Sequence, residues 1–306
     1  MQASSWELAV LVCKFLFYLG VAGTAGCGLM LGFYYDGSRR MLRFLLIYGL
    51  VAALIGFQAV LVNFLIQVGM INSQGLAGMF DWTMASILLD TAQGDSTLLR
   101  LAGFAVIIAT LAIALWRSQL LSATPSVGFR LWTLRPAFLA LLMIAVSFRL
   151  IGHVSVHGGL AQLAITLHSL AFALWVGALL PLLLLCHWQS QDSLPLTMRR
   201  FGDQAMMVVA VLLASGIGLL FALLNSPMEL LNTSYGQSLL VKVGLVGLLL
   251  GLAALNRFVL VPRLQQPGTN LSLRRAIKME ILMATLILLL TAFLSTLVGP
   301  MNASMA

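Results

Sequence analysis

The sequence predicts an all-α membrane protein, a single domain over residues 1–306 that crosses the bilayer eight times with both termini on the outer, periplasmic side. Composition is the first reason: 61% of the residues are hydrophobic, 8% are charged and the mean hydropathy is +1.03. Soluble domains carry roughly 25% charged residues, so this chain has too little polar surface to fold in water. The other reasons are the length of its apolar runs and the placement of its basic residues.

Eight apolar runs are long enough for helices that span a bilayer, which takes about 20 residues. They lack the alternation of β-barrel strands, and helices satisfy the backbone within lipid. We place them at 6–33, 42–69, 98–116, 131–151, 161–187, 201–224, 237–261 and 276–298.

The basic residues give the orientation. Thirteen of the seventeen lysines and arginines flank the first, third, fifth and seventh links, whereas Lys14, Arg100, Arg149 and Lys242 lie toward the other side. By the positive-inside rule, the odd-numbered links face the cytoplasm. The formal net charge is +8, but nucleic-acid binders gather their basic residues on one water-facing surface, and this distribution argues against that class.

The connections and the ends of the runs add detail. The first run follows Glu7 with no basic segment before it and is too long for a signal peptide, so we interpret it as a retained helix. The link at 70–97 contains an apolar stretch, 82–89, which predicts a short interfacial helix. The aspartates of this link are interpreted as solvating and capping residues rather than as metal ligands.

Several patterns concern packing rather than chemistry. The pairs Gly28/Gly32 and Gly247/Gly251 have the small-xxx-small spacing that permits close helix approach. The three cysteines lie in or beside apolar runs and are predicted to be buried thiols rather than a disulfide framework. We find no internal repeat and no nucleotide-binding glycine motif, and we expect a protein that is not an enzyme.

Three of the four histidines, His153, His157 and His168, lie around the outer link between the fourth and fifth runs. Ionisable side chains are costly in a bilayer and mark functional sites there. We interpret these histidines as a candidate transition-metal site, with copper favoured because imidazole and thioether ligands suit it. Hydrogen-bonded packing of each histidine is the alternative, and the glycines beside His153 and His157 weaken the signal of their i,i+4 spacing.

Other side chains could contribute to this site. Met79, Met84, Met301 and Met305 lie on the outer side and are additional candidate ligands, although methionine is commonly core filler. Arg149 lies one turn before His153 on the predicted helix, and its charge opposes a metal ion unless it pairs elsewhere. Elsewhere, Glu280 is expected to form a local ion pair with nearby basic residues at the cytoplasmic edge, and a place in a proton path is the alternative.

From Gly152-His153 onward the sequence resembles the copper resistance protein D family. The resemblance continues through His168, Trp175-x-Gly177-x-Leu179-x-Pro181-Leu182, Ser215-Gly216, Tyr235-Gly236-x-x-Leu239-x-x-Lys242, Asn256-Arg257 and Pro262-Arg263, and it covers roughly 150–298. It implies an eight-helix protein of the bacterial inner membrane that handles a copper ion, cuprous or cupric. It also implies a periplasmic copper-binding partner of the CopC type.

The same resemblance assigns roles by position. It implies His153 and His168 as ligands, and it places Trp175, Gly177 and Pro181 in the segment that shapes the fifth helix near the site. Many members carry a first-helix histidine in an Arg-Phe-x-His pattern. The matching stretch here is Lys14-Phe15-Leu16-Phe17, so phenylalanine takes the place of that histidine.

We therefore predict a copper transporter, with import into the cytoplasm favoured. Two other functions stay open: a b-type haem protein, since paired histidines on neighbouring helices can ligate haem iron, and a membrane docking partner for a periplasmic copper chaperone. The lipid bilayer is the expected surroundings, nucleic acid is not an expected partner, and a homo-oligomeric state is left open.

Overall fold

The computed structural model describes residues 4–72, 74–120, 125–190, 192–224, 226, 228–266 and 268–298, with the side chain of His153 excepted. Eight helices in this part of the chain are long and apolar enough to cross a membrane, and it contains no strand. The predicted all-α class and the number of membrane spans are confirmed.

The long helices follow one another through short connections. They are α1 (Ser5–Phe33), α2 (Arg39–Asn72), α4 (Ala92–Leu120), α5 (Val127–Ser147), α6 (Gly159–Trp188), α7 (Leu194–Leu223), α9 (Ser234–Leu255) and α10 (Thr269–Phe293). Two short helices, α3 (Trp82–Leu89) and α8 (Glu229–Asn232), lie in connections. We call the end that carries α3, α8 and residues 148–158 the histidine end, and the end that carries residues 34–38 and 189–193 the arginine end.

Several helix boundaries differ from those predicted, and two of the differences bear on the site. α4 begins six residues before the apolar run at 98–116, because its first turn is polar and escapes a search for hydrophobic runs. α5 ends at Ser147, four residues early, and the amide of Arg149 then donates to the carbonyl of Val146 in a tighter turn. Arg149 therefore lies beyond the helix. The prediction that Arg149 and His153 lie one turn apart on the same helix was wrong.

The short helix predicted inside the long connection is confirmed as α3, and Asp81 holds it in place. The Oδ1 of Asp81 accepts hydrogen bonds from the amides of Thr83 at 2.9 Å and Met84 at 3.1 Å. Its Oδ2 accepts one from Nδ2 of Asn72, at the end of α2, at 2.7 Å. This aspartate is thus a helix cap, in agreement with its interpretation from the sequence.

α1 and α6 form the centre of the bundle and cross with their backbones in contact. Gly177 lies against the carbonyl of Ala22, and Gly26 lies against the carbonyl of Gly177, so a Cβ atom at either glycine would overlap the facing backbone. Around this crossing, α1 and α6 pack against α2, α5, α7 and α10. Only glycine permits so close an approach.

Pro181 lies in the middle of α6 and leaves one carbonyl of that helix without its usual donor. Proline has no amide hydrogen, so the carbonyl of Gly177, four residues earlier, lacks its helical partner. The hydroxyl of Tyr48 on α2 donates to this oxygen at 2.9 Å. The proline is tolerated because a neighbouring helix satisfies the freed carbonyl, and the crossing thereby joins α1, α2 and α6.

The glycines that touch neighbouring helices are not the ones that the sequence suggested. A Cβ atom at Gly28, Gly247 or Gly251 would face open space, and one at Gly32 would make an ordinary contact. The close contacts involve other glycines of the first two helices, Gly20, Gly23, Gly26, Gly49 and Gly56. The prediction from small-xxx-small spacing was wrong because spacing does not reveal which face of a helix meets a neighbour.

The two halves of the chain pack in a similar way, with one difference. α1 packs against α2 and α5 as α6 packs against α7 and α10, and α4 packs against α5 as α9 packs against α10. The third long helix of each half carries a cation as its ninth residue, Arg100 in α4 and Lys242 in α9. However, α2 packs closely on α4, whereas α7 and α9 lack such packing over the described residues. We call the region between α7 and α9, where this packing is lacking over the described residues, the crevice.

Candidate functional site

His168 is the tenth residue of α6 and faces α7 at the edge of this crevice. Its Nδ1 lies 3.1 Å from the carbonyl oxygen of Leu212 and 3.3 Å from Oγ of Ser215. The Ser215 hydroxyl donates its own hydrogen to the carbonyl of Val211 at 2.6 Å. Because a carbonyl oxygen can only accept, Nδ1 carries the proton and Nε2 keeps the lone pair that binds metals.

The wall next to the imidazole comes from α7. Gly216 of α7 lies against the ring, and a Cβ atom there would stand 3.2 Å from Cε1 of His168. The missing side chain therefore leaves room for the histidine. Lys242 of α9 acts electrostatically on the same imidazole, so this helix brings a positive charge to the crevice.

The other two predicted ligands lie in the connection before α6. His153 begins a 3-10 helix, His153–Val156, which follows Gly152 with its positive φ of 81° and contacts both α6 and α7. The structure describes the backbone of His153 but not its side chain. The carbonyl of His157 accepts a hydrogen bond from Nε2 of Gln162 at 3.2 Å, which ties the connection to α6. Both histidines thus belong to the same end of the bundle as His168.

Donor groups at this end do not make a complete metal site among the described side chains. No group of three or more His, Cys, Asp or Glu side chains able to hold a metal ion occurs in the described part of the chain. His168 supplies one imidazole nitrogen of the kind that copper binds. A second nitrogen would have to come from the connection that carries His153 and His157.

The methionine candidates fall into two groups. Met79 packs with Trp6, Val10, Cys13 and Ile66 between the histidine-end portions of α1 and α2. Met84 packs with a second apolar cluster around Phe64, Val68 and Ala85. Both thioethers therefore take part in apolar packing. Met301 and Met305 lie outside the described residues.

The residues expected to shape the site have distinct places. Arg149 is exposed at the histidine end. Trp175 is 4% exposed and packs with Leu179, Leu249 and Ala284, which forms an apolar layer across α6, α9 and α10. Gly177 and Pro181 lie two and six residues further along α6, where they build the crossing described above. Trp175 thus separates the imidazole of His168 from the arginine end.

A cavity of about 280 Å³ lies on the other side of Trp175, between α1, α6 and α7. Its lining is mostly apolar, with Phe33, Phe201, Met207 and the amide of Gln204. The hydroxyl of Tyr34 donates to Oε1 of Gln204 at 2.6 Å. Burial, with the nearby Asp203 carboxylate, raises the pKa of Tyr34 to about 12, so this hydroxyl stays a neutral donor to Gln204.

The position of the family's first-helix histidine is filled by aromatic packing. Phe17 is 4% exposed and contacts the rings of Phe104 and Phe148. The guanidinium of Arg100 lies 4.5 Å from the Phe17 ring centroid, and its Nε donates to Oγ of Ser147 at 2.8 Å. The first half of the bundle therefore has no imidazole at this place, which is enclosed by α1, α4 and α5.

Sequence reasoning missed the partners of two groups. The Leu212 carbonyl that holds His168 is a backbone group, which no residue pattern can reveal. Glu280 does not form the expected ion pair in the described structure; it is 4% exposed and accepts a hydrogen bond from Nδ2 of Asn256 at 2.7 Å. Ser215, Gly216 and Asn256 belong to the motifs of the resemblance, so their importance was visible but their contacts were not.

Comparison with known proteins points to copper. The family model "Copper resistance protein D" matches residues 195–294. The chain is 30% identical over 219 residues to copper transport protein CutJ of Bacillus subtilis (strain 168), which is 70% of this chain and 38% of that protein. It is 32% identical over 153 residues to copper resistance protein D of Pseudomonas syringae pv. tomato, which is 45% of this chain and 49% of that protein.

The matched regions thus span less than half of each of these longer relatives. No solved structure matches the chain. The match of the family model includes the motifs on α7 and α9, and the eight apolar helices agree with a multi-pass position in a bacterial inner membrane. Over residues 195–294 the chain therefore matches the copper resistance protein D family of membrane proteins.

Proposed function

We propose that the chain carries copper across the membrane, from the periplasm to the cytoplasm, with copper as its cargo. The observation that carries this proposal is the orientation of His168. Its Nδ1 is fixed by the Leu212 carbonyl, so Nε2 is ready to bind a metal ion at the crevice between α7 and α9. A fixed, correctly protonated imidazole is what a metal ligand requires, and the group that fixes it tunes its affinity.

Copper enters at the histidine end in this proposal. His153 and His157 receive it at the mouth of the crevice and pass it to His168, which lies about two and a half helical turns, or about 14 Å, beyond the first residue of α6. Imidazole nitrogen binds both oxidation states of copper. The thioethers of Met301 and Met305 are additional soft ligands for capture, and a CopC-like periplasmic protein is the proposed donor.

The route then continues past the apolar layer of Trp175 into the cavity between α1, α6 and α7. The cavity opens the way toward the arginine end, which the positive-inside rule places in the cytoplasm. Transport therefore requires that the layer around Trp175 move aside. The names of the two relatives, a copper transport protein and a copper resistance protein, support copper as the cargo.

Metal content and absorbance of the purified protein test this proposal. We expect copper in the wild type and its loss in the double variant His153→Ala, His168→Ala, with retention in the control His187→Ala. The control histidine lies at the arginine end, where its Nδ1 contacts the carbonyl of Leu183 at 2.9 Å.

Two other results would contradict the proposal and indicate a different function. A Soret band that disappears in the double variant would identify a haem protein instead. Copper that binds at the histidines but never crosses the membrane of reconstituted vesicles would identify a docking partner rather than a transporter.

A further inference from the structure

Glu280 is a buried carboxyl group that has no role in the copper route described above. It is the twelfth residue of α10 and lies about 17 Å along the helix from its first residue. Asn256, the first residue of the π-helical turn Asn256–Leu260 after α9, donates from Nδ2 to Oε1 of Glu280 at 2.7 Å. The two residues are 4% and 7% exposed, so the pair is enclosed well inside the bundle.

One polar atom of this pair lacks a partner. Oδ1 of Asn256 is buried and accepts no hydrogen bond from the residues that the structure describes. An ionised carboxylate cannot help, since it only accepts, whereas a protonated carboxyl group brings one O–H donor. A buried amide oxygen without a donor, next to a carboxyl group, points to a bound proton. The π-helical turn adds a second indication, because such turns are frequent at functional sites.

The charges around Glu280 do not compensate a carboxylate. Arg257 follows Asn256 but pairs with Asp203 of α7 at 2.9 Å. The hydrogen bond from Asn256 is the side-chain contact that the described structure gives the Glu280 carboxyl group.

Titratable groups on the helices packed against α10 are engaged elsewhere. Lys14 and Tyr18 of α1 meet Ser295, Cys186 of α6 lies near Arg274, His187 of α6 contacts Leu183, and His168 of α6 lies near Lys242 of α9. On α10 itself, Arg275 and Lys278 are exposed. An unpaired carboxylate is costly within a bilayer, so the surroundings favour the neutral acid.

We propose that Glu280 and Asn256 form a proton-binding site deep in the bundle and that this proton is exchanged as copper crosses, a coupling that rests on the proposed function. The apolar layer of Trp175, Leu249 and Ala284 separates this site from His168. Release of the proton from the Glu280 carboxyl to water at the arginine end leaves a carboxylate, which attracts a cation past the layer. Return of a proton neutralises the carboxylate and releases the cation, so one positive charge replaces another.

Infrared spectroscopy of the full chain in lipid nanodiscs at neutral pH tests the proton site without copper. We expect the carbonyl band of a protonated carboxylic acid in the wild type, its loss in Glu280→Gln and its shift in Asn256→Leu. The matched control, Asp203→Asn, removes an exposed carboxylate near the same end and should keep the band. Absence of the band in the wild type, or its persistence in Glu280→Gln, would overturn the proton site.

Copper flux in reconstituted vesicles tests the coupling. We expect an imposed pH gradient to change the rate of copper uptake severalfold in the wild type and not in Glu280→Gln, while both proteins bind equal copper at the histidine end. Copper uptake that ignores the gradient in the wild type would overturn the coupling. No copper uptake under any gradient, together with an intact infrared band, would refute the proposed transport but not the proton site.

Discussion

At the scale of single residues, the imidazole of His168 is set by groups on a different helix. The carbonyl of Leu212 accepts a hydrogen bond from Nδ1, Ser215 places its Oγ beside the same nitrogen, and Gly216 leaves space for the ring. None of these three groups is a metal ligand. Together they decide which nitrogen is free and where it points, which is the usual task of groups that surround a metal ligand.

Removal of the Ser215 hydroxyl should weaken copper binding without removing a ligand. In Ser215→Ala the imidazole loses one of the two groups at Nδ1, and such losses typically cost about 10-fold in metal affinity. Equilibrium copper titration of the purified protein measures the change. The control is Thr285→Ala, since that hydroxyl donates only to the Ile281 carbonyl of its own helix. Equal affinities in the two variants would contradict the role of Ser215.

Removal of the Lys242 charge should act in the opposite direction. The ammonium group acts on His168 and repels a metal ion that binds there, and like charges at close range in a protein interact by about 1 to 4 kcal/mol. We therefore expect Lys242→Met to bind copper about tenfold more tightly, and Lys242→Arg to resemble the wild type. The same titration measures both. Weaker binding in Lys242→Met would instead mean that the lysine helps to hold the cargo.

The sequence identified His168 as a candidate ligand but could not predict which groups surround its imidazole. Its value as a candidate followed from the cost of an ionisable group inside the bilayer and from its place among the motifs of the family. Its partners are a backbone carbonyl and an absent side chain, and neither leaves a mark in a residue pattern. The partner of Glu280 was not predicted for a similar reason, because the basic residues nearest to Glu280 in sequence are not the groups nearest to it in space.

At the scale of elements, the crossing of α1 and α6 depends on glycines and on a hydrogen bond from a third helix. Gly26 and Gly177 bring the two backbones together, and Tyr48 satisfies the carbonyl that Pro181 leaves free. The sequence placed Pro181 in the segment that shapes this helix, but the donor for the freed carbonyl lies 129 residues away in the chain. Local pattern cannot predict such a pairing.

A side chain at the crossing should destabilise the protein. Gly177→Ala places a methyl group against the Ala22 carbonyl, and overpacking of this kind costs typically 1 to 3 kcal/mol. Thermal unfolding in detergent should show a lower midpoint than in the wild type. The control is Gly251→Ala, whose added methyl group meets open space and should leave the midpoint unchanged. Equal midpoints for both variants would show that the backbones can separate at no cost.

Loss of the Tyr48 hydroxyl should have a separate effect. Tyr48→Phe leaves the Gly177 carbonyl buried without a donor, which costs roughly 1 to 3 kcal/mol. In the variant Tyr48→Phe, Pro181→Ala, an amide hydrogen returns at position 181, and we expect much of the lost stability to return with it. The same unfolding measurement tests this, and a double variant no more stable than Tyr48→Phe would show that the hydroxyl does not serve this carbonyl.

At the scale of the whole molecule, the number of spans and the helical class followed from the sequence, because hydrophobic length and composition are strong signals in a bilayer. The similarity of the two halves did not, since it resides in the packing order of the helices and not in repeated residues. The difference between the halves is more informative. The second half has the crevice with His168 at its edge. The first half instead has Phe17 and the close packing of α2 on α4.

The proposed orientation can be measured by the accessibility of single cysteines. Asp90 at the histidine end and Gln266 at the arginine end are both exposed, and the native Cys13, Cys27 and Cys186 are buried. We expect a membrane-impermeant maleimide to label Asp90→Cys in intact spheroplasts and Gln266→Cys only after lysis. The reverse pattern would invert the topology and turn the proposed import into export.

The glycine crossing also determines how the bundle can move. Two bare backbones in contact cannot come closer and have few interlocking side chains to stop them from turning, so α1 and α6 should pivot about Gly26 and Gly177 rather than slide. Each helix would then rotate as a rigid body about a point near the middle of the membrane. A tilt that widens the space around His168 should narrow the space at the opposite ends of the same two helices. The glycine contact should therefore prevent the histidine end and the arginine end from being open at the same time.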